Sequence, residues 1–353
     1  FLYAPGFWLL LSAGMTYALI GMRTISGVYH HGVLPVVAFA IGWLIAEGSS
    51  DKQIRDGILA LATGFGTYAT LNMLVNIGNN RYRLIDFWTG TYRAATGSGA
   101  LNTLPISVAP YAVKFEKRLP VKIMFLALFF ATIQYMFMLG TRTQFAILLL
   151  IVILAALQFA YSEQGIAGVL KCIGIMAVIS LIAFLLYHFN VLSIRDYILS
   201  TNLAARYQRR ASLENADSFR FQSFWIGLRE LIQYPMGGRA SQVYRHNMWL
   251  DVGRVSGIIP FCLLLVYSIK NFANVTVIWK NTKILPSLRY LLLFLYIGAY
   301  VNCFVEPIWE GALNFFLALC VVDGMVSAMM RRLENDHTPE ESVSDTSNLH
   351  TDL

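Results

Sequence analysis

Charged residues are scarce in this chain. Asp, Glu, Lys and Arg make up 13% of its 353 residues, whereas an ordinary soluble domain carries about 25%. Hydrophobic residues make up 57%, and many apolar runs reach roughly 20 residues, the length of a helix that spans a bilayer. A single water-soluble core is therefore excluded. Runs such as 146–157 are apolar at every position, so they lack the period-two alternation of a transmembrane barrel.

Cysteine is also rare, and the few cysteines are not grouped. Each of the four falls inside an apolar run, where a cysteine is typically a small buried residue. Neither a CxxC pair nor a Cys/His cluster occurs, so neither a disulfide nor a zinc site is predicted. The four positions are Cys172, Cys262, Cys303 and Cys320.

The motifs of several common enzyme classes are missing. No Gly-x-x-x-x-Gly-Lys-[Ser/Thr] loop is present, which excludes a P-loop ATPase, and no His-Glu-x-x-His is present, which excludes a zincin. No DxD-like acidic cluster occurs in the loops that we assign to the outer side, so a metal-held nucleotide sugar is not expected. We predict a site without metal or cofactor, acting on a donor already activated as a lipid diphosphate.

The apolar runs predict an all-α, polytopic transmembrane helical bundle of about ten spans. The fourth run is short and contains Pro105 and Pro110, so it is either kinked or re-entrant. The chain starts at Phe1, already within an apolar run, and we treat the number of spans as a lower bound. The predicted spans are 3–22, 31–46, 57–77, 100–114, 122–140, 143–161, 166–188, 252–270, 288–305 and 311–330.

Three groups of lysine and arginine predict the orientation of the bundle. They lie at 114–122, 270–289 and 331–332 and share one side of a ten-span chain, which positive-inside reasoning makes the cytoplasmic side. The loop 78–99 carries three arginines on the other side, so either the orientation fails there or those arginines have a function. The predicted regions are helices in 1–188, a periplasmic loop in 189–251, helices in 252–330 and a disordered acidic tail in 331–353.

The long outer segment 189–245 is basic without lysine. It contains eight arginines and four acidic residues. Arginine presents a planar fork that binds phosphate through two hydrogen bonds, so this composition favours recognition of a phosphate or diphosphate. The alternative is that these side chains reach towards lipid headgroups without a specific ligand.

Within this segment, 219–232 has the periodicity of an amphipathic helix. Phe221, Phe224, Trp225 and Leu228 share one face, and a helix of about 20 Å with such a face should lie in the membrane interface. The turn residues 234–238 end it. Arg220 would then lie near its N-terminus, where the helix adds attraction for an anion.

The polar group at 245–247 is the main candidate site. An imidazole is suited to proton transfer near neutral pH, which makes His246 a catalytic candidate, whereas taken alone it is more often a plain polar residue. Asn247 would orient a sugar or phosphate. Arg239 and Arg245 flank the site, and Trp249 offers a ring face to a sugar or lipid.

Further candidates lie elsewhere on the same predicted side. Arg142 stands in a short turn between two long apolar runs, and a charge near membrane depth is usually functional, although a plain outer turn is the alternative. Glu306 and Glu310 flank Pro307 and would pair with arginines or bind sugar hydroxyls, of which we favour pairing. Asp323 and the pair 30–31 are weaker candidates.

At these residues the chain resembles the O-antigen ligase/polymerase superfamily, membrane glycosyltransferases that include WaaL-type ligases and Wzy-type polymerases. The resemblance rests on an outer-turn arginine, an arginine-led helix in a long periplasmic loop, a Pro/Gly turn and an HNxxL element. Here these are Arg142, Arg220, the residues 235–238 and His246-Asn247-Met248-Trp249-Leu250. The Gly-x-Gly often present before the histidine reads Gly237-Gly238-Arg239. The match covers roughly 139–261.

The resemblance implies transfer of a glycan from undecaprenyl diphosphate to an acceptor hydroxyl at the periplasmic face of the bacterial inner membrane. Arg142 and Arg220 would neutralise the diphosphate, and His246 would act on the acceptor hydroxyl or the diphosphate. Arg239, Arg245 and Arg210 would gather the anionic donor. Expected partners are the lipid-linked oligosaccharide, the bilayer, and the flippase and chain-length regulator of the same pathway, with no nucleic acid.

Polymerase and ligase differ in the acceptor, which is another lipid-linked repeat unit or the lipid A core. We favour the polymerase because both outer loops are basic and both of its substrates are lipid diphosphates. A transporter or flippase of lipid-linked sugars is the alternative from another class. It would need charges along a path through the bilayer, whereas here the arginines concentrate on one side.

Overall fold

The computed structural model describes residues 1–77, 84–92, 95–211 and 216–335, with only the backbone described for 95–96, 209–211 and 216–220. Helix accounts for 83% of it. Within those ranges no strand occurs, and an isolated antiparallel bridge joins Ile85 to Tyr92. The predicted all-α architecture is confirmed.

Short turns join most helices of this part of the chain, the loop 234–247 is longer, and Ile25–Gly27 forms one further helical turn. In order they are α1 (Pro5–Thr16), α2 (Leu34–Ala46), α3 (Asp51–Val75), α4 (Ala95–Leu101), α5 (Thr103–Lys114), α6 (Leu119–Leu139), α7 (Arg142–His188), α8 (Ile194–Ser200), α9 (Asn202–Ala211), α10 (Ala216–Gln233), α11 (Met248–Ser256), α12 (Ile258–Lys280), α13 (Pro286–Val305), α14 (Ile308–Gly311) and α15 (Leu313–Asn335). Wider π-helical turns at Tyr17–Met22 and Val28–Val33 extend α1 and precede α2.

Eight helices of the described residues are long and apolar enough to cross a membrane, so the chain is a multi-pass membrane protein. The prediction of ten spans differs at two places. Helix α7 has 47 residues and is broken at Gly165, where φ is 59°. A Cβ on Gly168 would lie 2.3 Å from the carbonyl oxygen of Ala160, which shows that the chain doubles back there. Helix α5 has only 12 residues.

Local sequence signals fix where the membrane helices begin and end. Ser50 and Gln53 form a reciprocal capping box at the start of α3, which satisfies backbone donors that the first turn leaves open. Pro5 and Pro286 occupy the first turns of their helices, where a missing N–H costs nothing. Gly140 ends α6 in the left-handed conformation, with φ 66°, which a glycine adopts without strain.

The closest helix packing joins α2 to α15. A Cβ on Gly42 would lie 1.8 Å from the carbonyl oxygen of Val321, and one on Gly324 would lie 2.0 Å from that of Phe39. Two glycines thus let the two backbones touch, which is how membrane helices gain packing energy without a hydrophobic driving force.

Asp323 lies fully buried in α15 and joins three helices. It accepts a hydrogen bond of 2.6 Å from the hydroxyl of Tyr267 in α12 and another from the hydroxyl of Tyr296 in α13. Both carboxylate oxygens therefore have a donor, as a buried carboxylate requires. The weak functional candidate Asp323 acts here as a link between α12, α13 and α15.

The polar contacts show which residues lie at each end of the bundle. At one end Arg332 donates to Asp51 at 2.5 Å, and the backbone N–H of Leu285 donates to the same carboxylate at 2.9 Å. Lys114 pairs with Glu163 at the turn of α7. The three basic groups used for the orientation therefore do share one end of the bundle. The candidate residues Arg142, His246 and Glu306 belong to the opposite end, whose contacts are described below.

Two predicted boundaries were wrong. The eighth span was predicted at 252–270, but 248–256 forms the separate helix α11 and the long helix runs from 258 to 280. Gly257 causes the break because its φ is 91°. The last helix extends to Asn335, so 331–335 is helical rather than disordered. Arg332 holds this turn through Asp51 and the carbonyl oxygen of Ser49. Residues 336–353 lie outside the described part.

The expectation of buried cysteines holds for two of the four. Cys303 and Cys320 are buried, Cys172 is intermediate and Cys262 is exposed, and all four are free thiols. The prediction of four buried cysteines was therefore wrong at Cys262, which is exposed, and at Cys172, which is only partly buried. An apolar run alone did not distinguish the outer surface of a membrane helix from its packed face.

The α2–α15 contact predicts a sharp difference between glycines. Gly42→Ala and Gly324→Ala should each lower the melting temperature in detergent, because the added methyl would overlap a backbone carbonyl and overpacking costs roughly 1–3 kcal/mol. Gly64→Ala in α3 is the control, since nothing lies within 4 Å of its added Cβ and alanine is the better helix former by up to about 1 kcal/mol. Equal melting temperatures for all three variants would contradict the contact.

Candidate functional site

The loop between α10 and α11 is hydrogen-bonded to the break between α11 and α12. The N–H of Ile258 donates to the carbonyl oxygen of Pro235 at 2.8 Å, and the N–H of Gly238 donates to that of Val255 at 2.9 Å. A Cβ on Gly257 would lie 2.1 Å from the Pro235 oxygen. The Pro/Gly turn predicted from the sequence thus packs directly against the break between α11 and α12, where only glycine fits.

Arg254 of α11 holds this loop in place from inside. Its side chain is almost fully buried, and Nη1 donates to the carbonyl oxygens of Arg239, Ala240 and Gln242 at 2.7, 2.9 and 3.0 Å. Its Nη2 reaches both carboxylate oxygens of Glu310 at 3.2 and 3.1 Å. One guanidinium therefore links α11, the loop and α14, with the planar, multi-donor geometry that lysine lacks.

The carboxylates of Asp251 and Glu310, which contact Arg254, also accept hydrogen bonds from other residues. Asp251 Oδ1 lies 3.4 Å from Arg254 Nε and accepts the backbone N–H of Arg245 at 2.7 Å. Glu310 also accepts the hydroxyl of Tyr17 at 3.0 Å. Burial raises the pKa of both Asp251 and Glu310, and the nearby Arg254 partly offsets the rise. The predicted pairing of Glu310 with an arginine is confirmed, with Arg254 as its partner.

Arg245 forms a second buried ion pair. Its Nε and Nη2 donate to the two carboxylate oxygens of Glu230 in α10 at 2.9 and 2.7 Å. Arg239 lies 3.7 Å from the same carboxylate, and its guanidinium stacks 4.4 Å from the ring centroid of Tyr234. Arg245 was predicted to gather substrate, but its fork is occupied by Glu230, so in this state it fastens α10 to the loop.

His246 lies between two fixed neighbours. Its φ is 54°, a left-handed conformation that is uncommon for a residue with a side chain and often marks a functional site. On one side Arg245 is held through Asp251 and Glu230. On the other, Asn247 caps α11 by accepting the N–H of Leu250 at 3.0 Å, and its Nδ2 donates to the carbonyl oxygen of Phe304 at 3.1 Å. The half-buried imidazole of His246 is therefore presented from a rigid backbone.

Arg142 begins α7 at the tight turn that follows α6. Helix α9 clamps this turn, because Arg206 donates to the carbonyl oxygen of Gly140 at 2.9 Å and Asn202 donates to that of Met138 at 2.6 Å. The Arg142 guanidinium lies 6.0 Å from the ring centroid of Tyr207 and is half-buried. Part of the arginine-rich segment thus packs on the Arg142 turn.

The end of α13 joins the Arg142 turn to the His246 turn. Thr143, next to Arg142, donates to Glu306 at 2.5 Å, and Gln144 donates to Asn302 at 3.3 Å. Asn247, next to His246, donates to the Phe304 carbonyl. The two turns that carry the candidate residues therefore contact one short segment, 302–306, although they are about a hundred positions apart in sequence. Glu306 of this segment is buried.

Helix α10 occurs where an amphipathic helix was predicted. The residues that it buries against the protein, however, are not those of the predicted apolar face. The residues that face the protein are Ser223, Gly227, Glu230 and Leu231, whereas Phe221, Trp225 and Ile232 point outward and are exposed. The large apolar side chains are free to meet lipid, as expected for a helix in the interface. The side chains of Arg220 and Arg210 lie outside the described residues, so their predicted roles remain predictions.

Trp249 lies inside the protein next to an apolar cavity. Its Nε1 donates to the hydroxyl of Ser268 at 2.9 Å. The cavity has a volume of about 410 Å³ and is bordered by Asn247, Phe304 and Phe272 among other residues. Trp249 could therefore contact the sugar or polar head of a ligand only if that ligand entered this cavity.

Sequence reasoning missed Asp251 and Arg254. Two opposite charges three positions apart inside an otherwise apolar run, directly after His246-Asn247, were the available signal, because a charge in such a run is costly unless it is paired. His31 is buried and stacks on Trp309 with ring centroids 5.7 Å apart, which indicates packing. Within the described ranges no group of three His, Cys, Asp or Glu residues forms a metal site.

The structure places two turns, each with a half-buried basic residue, against the segment 302–306. The buried guanidinium groups of Arg245 and Arg254 are used in ion pairs, whereas the side chains of Arg142 and His246 are only half-buried. Such groups can bind an anion and hold or transfer a proton. No family model matches the chain, and no curated protein matches it.

Replacing Arg254 should disrupt the loop that carries His246. Arg254→Ala leaves Glu310 and Asp251 buried without their cation and frees three carbonyl oxygens, and breaking a buried pair costs roughly 3–5 kcal/mol. We expect a lower melting temperature and faster proteolysis within 234–247. Arg229→Ala, which removes an exposed arginine of α10, is the matched control and should change neither. Equal protease resistance of the two variants would contradict the role given to Arg254.

The raised pKa of Glu310 predicts how stability depends on pH. A carboxyl whose pKa is higher in the folded state than its usual 4.5 favours folding when protonated, and this contribution is lost as the pH rises through the folded pKa. Wild type should therefore lose stability relative to Glu310→Gln as the pH rises above about 4.5, whereas Asp251 is present in both proteins. Thermal unfolding of both proteins from pH 4 to 8 measures this difference, and a difference that stays constant or grows in the opposite sense would rule it out.

Proposed function

We propose that the chain is a membrane glycosyltransferase that takes a glycan from undecaprenyl diphosphate and passes it to an acceptor hydroxyl. The observation that carries this proposal is the meeting of the Arg142 turn and the His246 turn on 302–306. An anion-binding fork and a group able to move a proton are what a transfer from a diphosphate donor needs at one place. The resemblance of Arg142, Arg220 and the HNxxL element to the O-antigen ligase/polymerase superfamily supports the same reaction.

In this proposal Arg142 and Arg220 bind the diphosphate. The acceptor hydroxyl attacks the anomeric carbon, the bond from that carbon to the diphosphate oxygen breaks, and negative charge develops on the leaving diphosphate. Two guanidinium groups lower the barrier by neutralising that charge as it forms. His246 takes the hydroxyl proton or hydrogen-bonds the diphosphate, and the fixed backbone on both sides of it keeps the imidazole in register.

Arg239 and Arg210 are proposed to raise the local concentration of the anionic donor. Arg239 is suited to this because its guanidinium is only partly buried and rests on the Tyr234 ring. Arg245 supports it indirectly through the Glu230 ion pair. Asn247 and Glu306 form the base of the site, and Trp249 lines the apolar cavity below it.

We further propose that the protein lies in the bacterial inner membrane with this end in the periplasm. The basic residues grouped at the other end of the bundle support this orientation. Ten spans fit the same picture when the two halves of α7 and the short helix α5 are each counted as one span, and 189–251 then forms a periplasmic loop.

A polymerase is the preferred form of the proposal, with a ligase as the alternative. Both substrates of a polymerase are lipid diphosphates, and the arginine-rich segments on both sides of the site would suit two such anions. The flippase and the chain-length regulator of the same pathway would be its partner proteins, and no metal or nucleotide is required.

A reconstituted assay tests the reaction and the residues together. The purified protein is given only lipid-diphosphate-linked repeat units, and the products are resolved by gel. A polymerase forms a ladder of lengthening lipid-linked glycans, whereas a ligase forms product only when lipid A core is added. Arg142→Ala, Arg220→Ala and His246→Ala should each lower the rate at least about a hundredfold, the effect of removing one stabilising group from a transition state.

Arg195→Ala is the matched control because Arg195 is exposed in the same arginine-rich segment and pairs weakly, at 4.0 Å, with Asp196. It should retain the wild-type rate. The proposal is wrong if all three site variants, present at wild-type level and with wild-type melting temperature, still form product with either acceptor at the wild-type rate.

A further inference from the structure

A polar cavity of about 290 Å³ lies at the end of the bundle opposite the candidate site. It is bordered by α12 and α15 and by the residues that lead into α1, with Trp43 of α2 at its edge. Lys270, Asn274, Ser327 and Arg331 supply most of its hydrogen-bonding groups. Cavities of this size are in the range of small-ligand sites, roughly 300 Å³ and above.

The side chains that line this cavity carry one more positive than negative charge. Lys270 is half-buried, and among the described residues no carboxylate lies within 4 Å of its ammonium group. Arg331 lies 3.7 Å from Glu47, a loose and partly exposed pair. Glu334 is the acidic residue that lines the cavity. The lining therefore carries two cations and one anion, together with neutral groups that hydrogen-bond.

Arg331 is held in a fixed position by aromatic rings. Its guanidinium lies 5.2 Å from the ring centroid of Tyr3 and 5.9 Å from that of Trp43, distances at which a cation and a ring attract each other. Trp43 is anchored in turn because its Nε1 donates to Glu47 at 3.3 Å. One of the two cations is thus pre-arranged, which lowers the cost of ordering it around a ligand.

The depth of the cavity matches the headgroup region of a bilayer. At about 1.5 Å per residue, Ser327 and Arg331 lie roughly 21 and 27 Å from the start of α15, close to the hydrocarbon thickness of about 30 Å. Tyr and Trp are the residues that favour this interface. One turn before Lys270, on the same face of the helix, the side chain of Val266 is exposed, so apolar surface adjoins this cation.

We propose that this cavity binds the phosphate of an anionic phospholipid headgroup. Lys270 and Arg331 neutralise the phosphate, Asn274 and Ser327 donate hydrogen bonds to it, and an acyl chain lies along Val266. A soluble phosphate would use the same cations but would gain nothing from the bordering apolar surface. Basic pockets between membrane helices are known to select anionic lipids in this way. The site is separate from the proposed glycan transfer and does not depend on it.

A lipid titration of the full-length protein tests the site. The melting temperature in neutral detergent is measured against added phosphatidylglycerol, phosphatidylcholine or inorganic phosphate. Wild type should be stabilised by phosphatidylglycerol in preference to the other two. Lys270→Gln and Arg331→Gln should each raise the half-saturating lipid concentration roughly fivefold, the effect of one basic residue near an anionic headgroup. Lys280→Gln, on the same helix but outside the cavity, should match wild type.

Three results would overturn the proposal. One is a Lys270→Gln titration that coincides with that of wild type while the variant keeps the wild-type melting temperature without lipid. Another is equal stabilisation by inorganic phosphate and by phosphatidylglycerol, which would make the cavity a site for a soluble anion. The third is equal stabilisation by the zwitterionic and the anionic lipid. None of these readouts uses glycan transfer, so failure here leaves the proposed function untouched.

Discussion

The buried guanidinium of Arg254 is the interaction on which the candidate site depends. It lies where three carbonyl oxygens of the 239–242 loop and the carboxylates of Asp251 and Glu310 converge. A buried cation is tolerated only when its donors are used and its charge is balanced, and both conditions are met here. The position of His246 follows from this, since the loop, helix α11 and helix α14 have to close around one side chain.

The need to pair buried charges distinguishes the arginines that hold the structure together from those that are partly exposed. Arg245 and Arg254 are buried and form ion pairs with Glu230, Asp251 and Glu310, so they define the shape of the loop that carries His246. The side chains of Arg142 and His246 are half-exposed at the same end of the bundle. The arginines at this end of the bundle thus have at least two functions, of which one is to fix the loop and the other, we propose, is to bind an anionic donor. At the opposite end, Lys270 and Arg331 offer a second basic surface at headgroup depth.

Much of the fold could be predicted from hydropathy and turn residues. Local composition and periodicity predict the all-helical membrane bundle and the grouping of basic residues at one end. They also predict the helix in 219–232 and the Pro/Gly turn that ends it. The break at Gly257 could not be predicted this way, because it arises from contact between Pro235 and a helix twenty residues later. The buried face of α10 was also missed, since Ser223, Gly227 and Glu230 are small or ion-paired and carry no hydrophobic signal. The meeting of the Arg142 and His246 turns on 302–306 is a tertiary contact that periodicity does not encode.

The central claim is that one site at the outer end binds the diphosphate of a lipid-linked glycan. An experimental structure of the protein with undecaprenyl diphosphate-linked repeat unit bound in a lipid nanodisc tests it most directly. The account predicts the diphosphate within hydrogen-bonding distance of Arg142, with His246 beside the glycosidic carbon above 302–306. A lipid diphosphate bound elsewhere, or bound with both residues beyond about 6 Å, the limit of useful charge interaction with a partner, would contradict it.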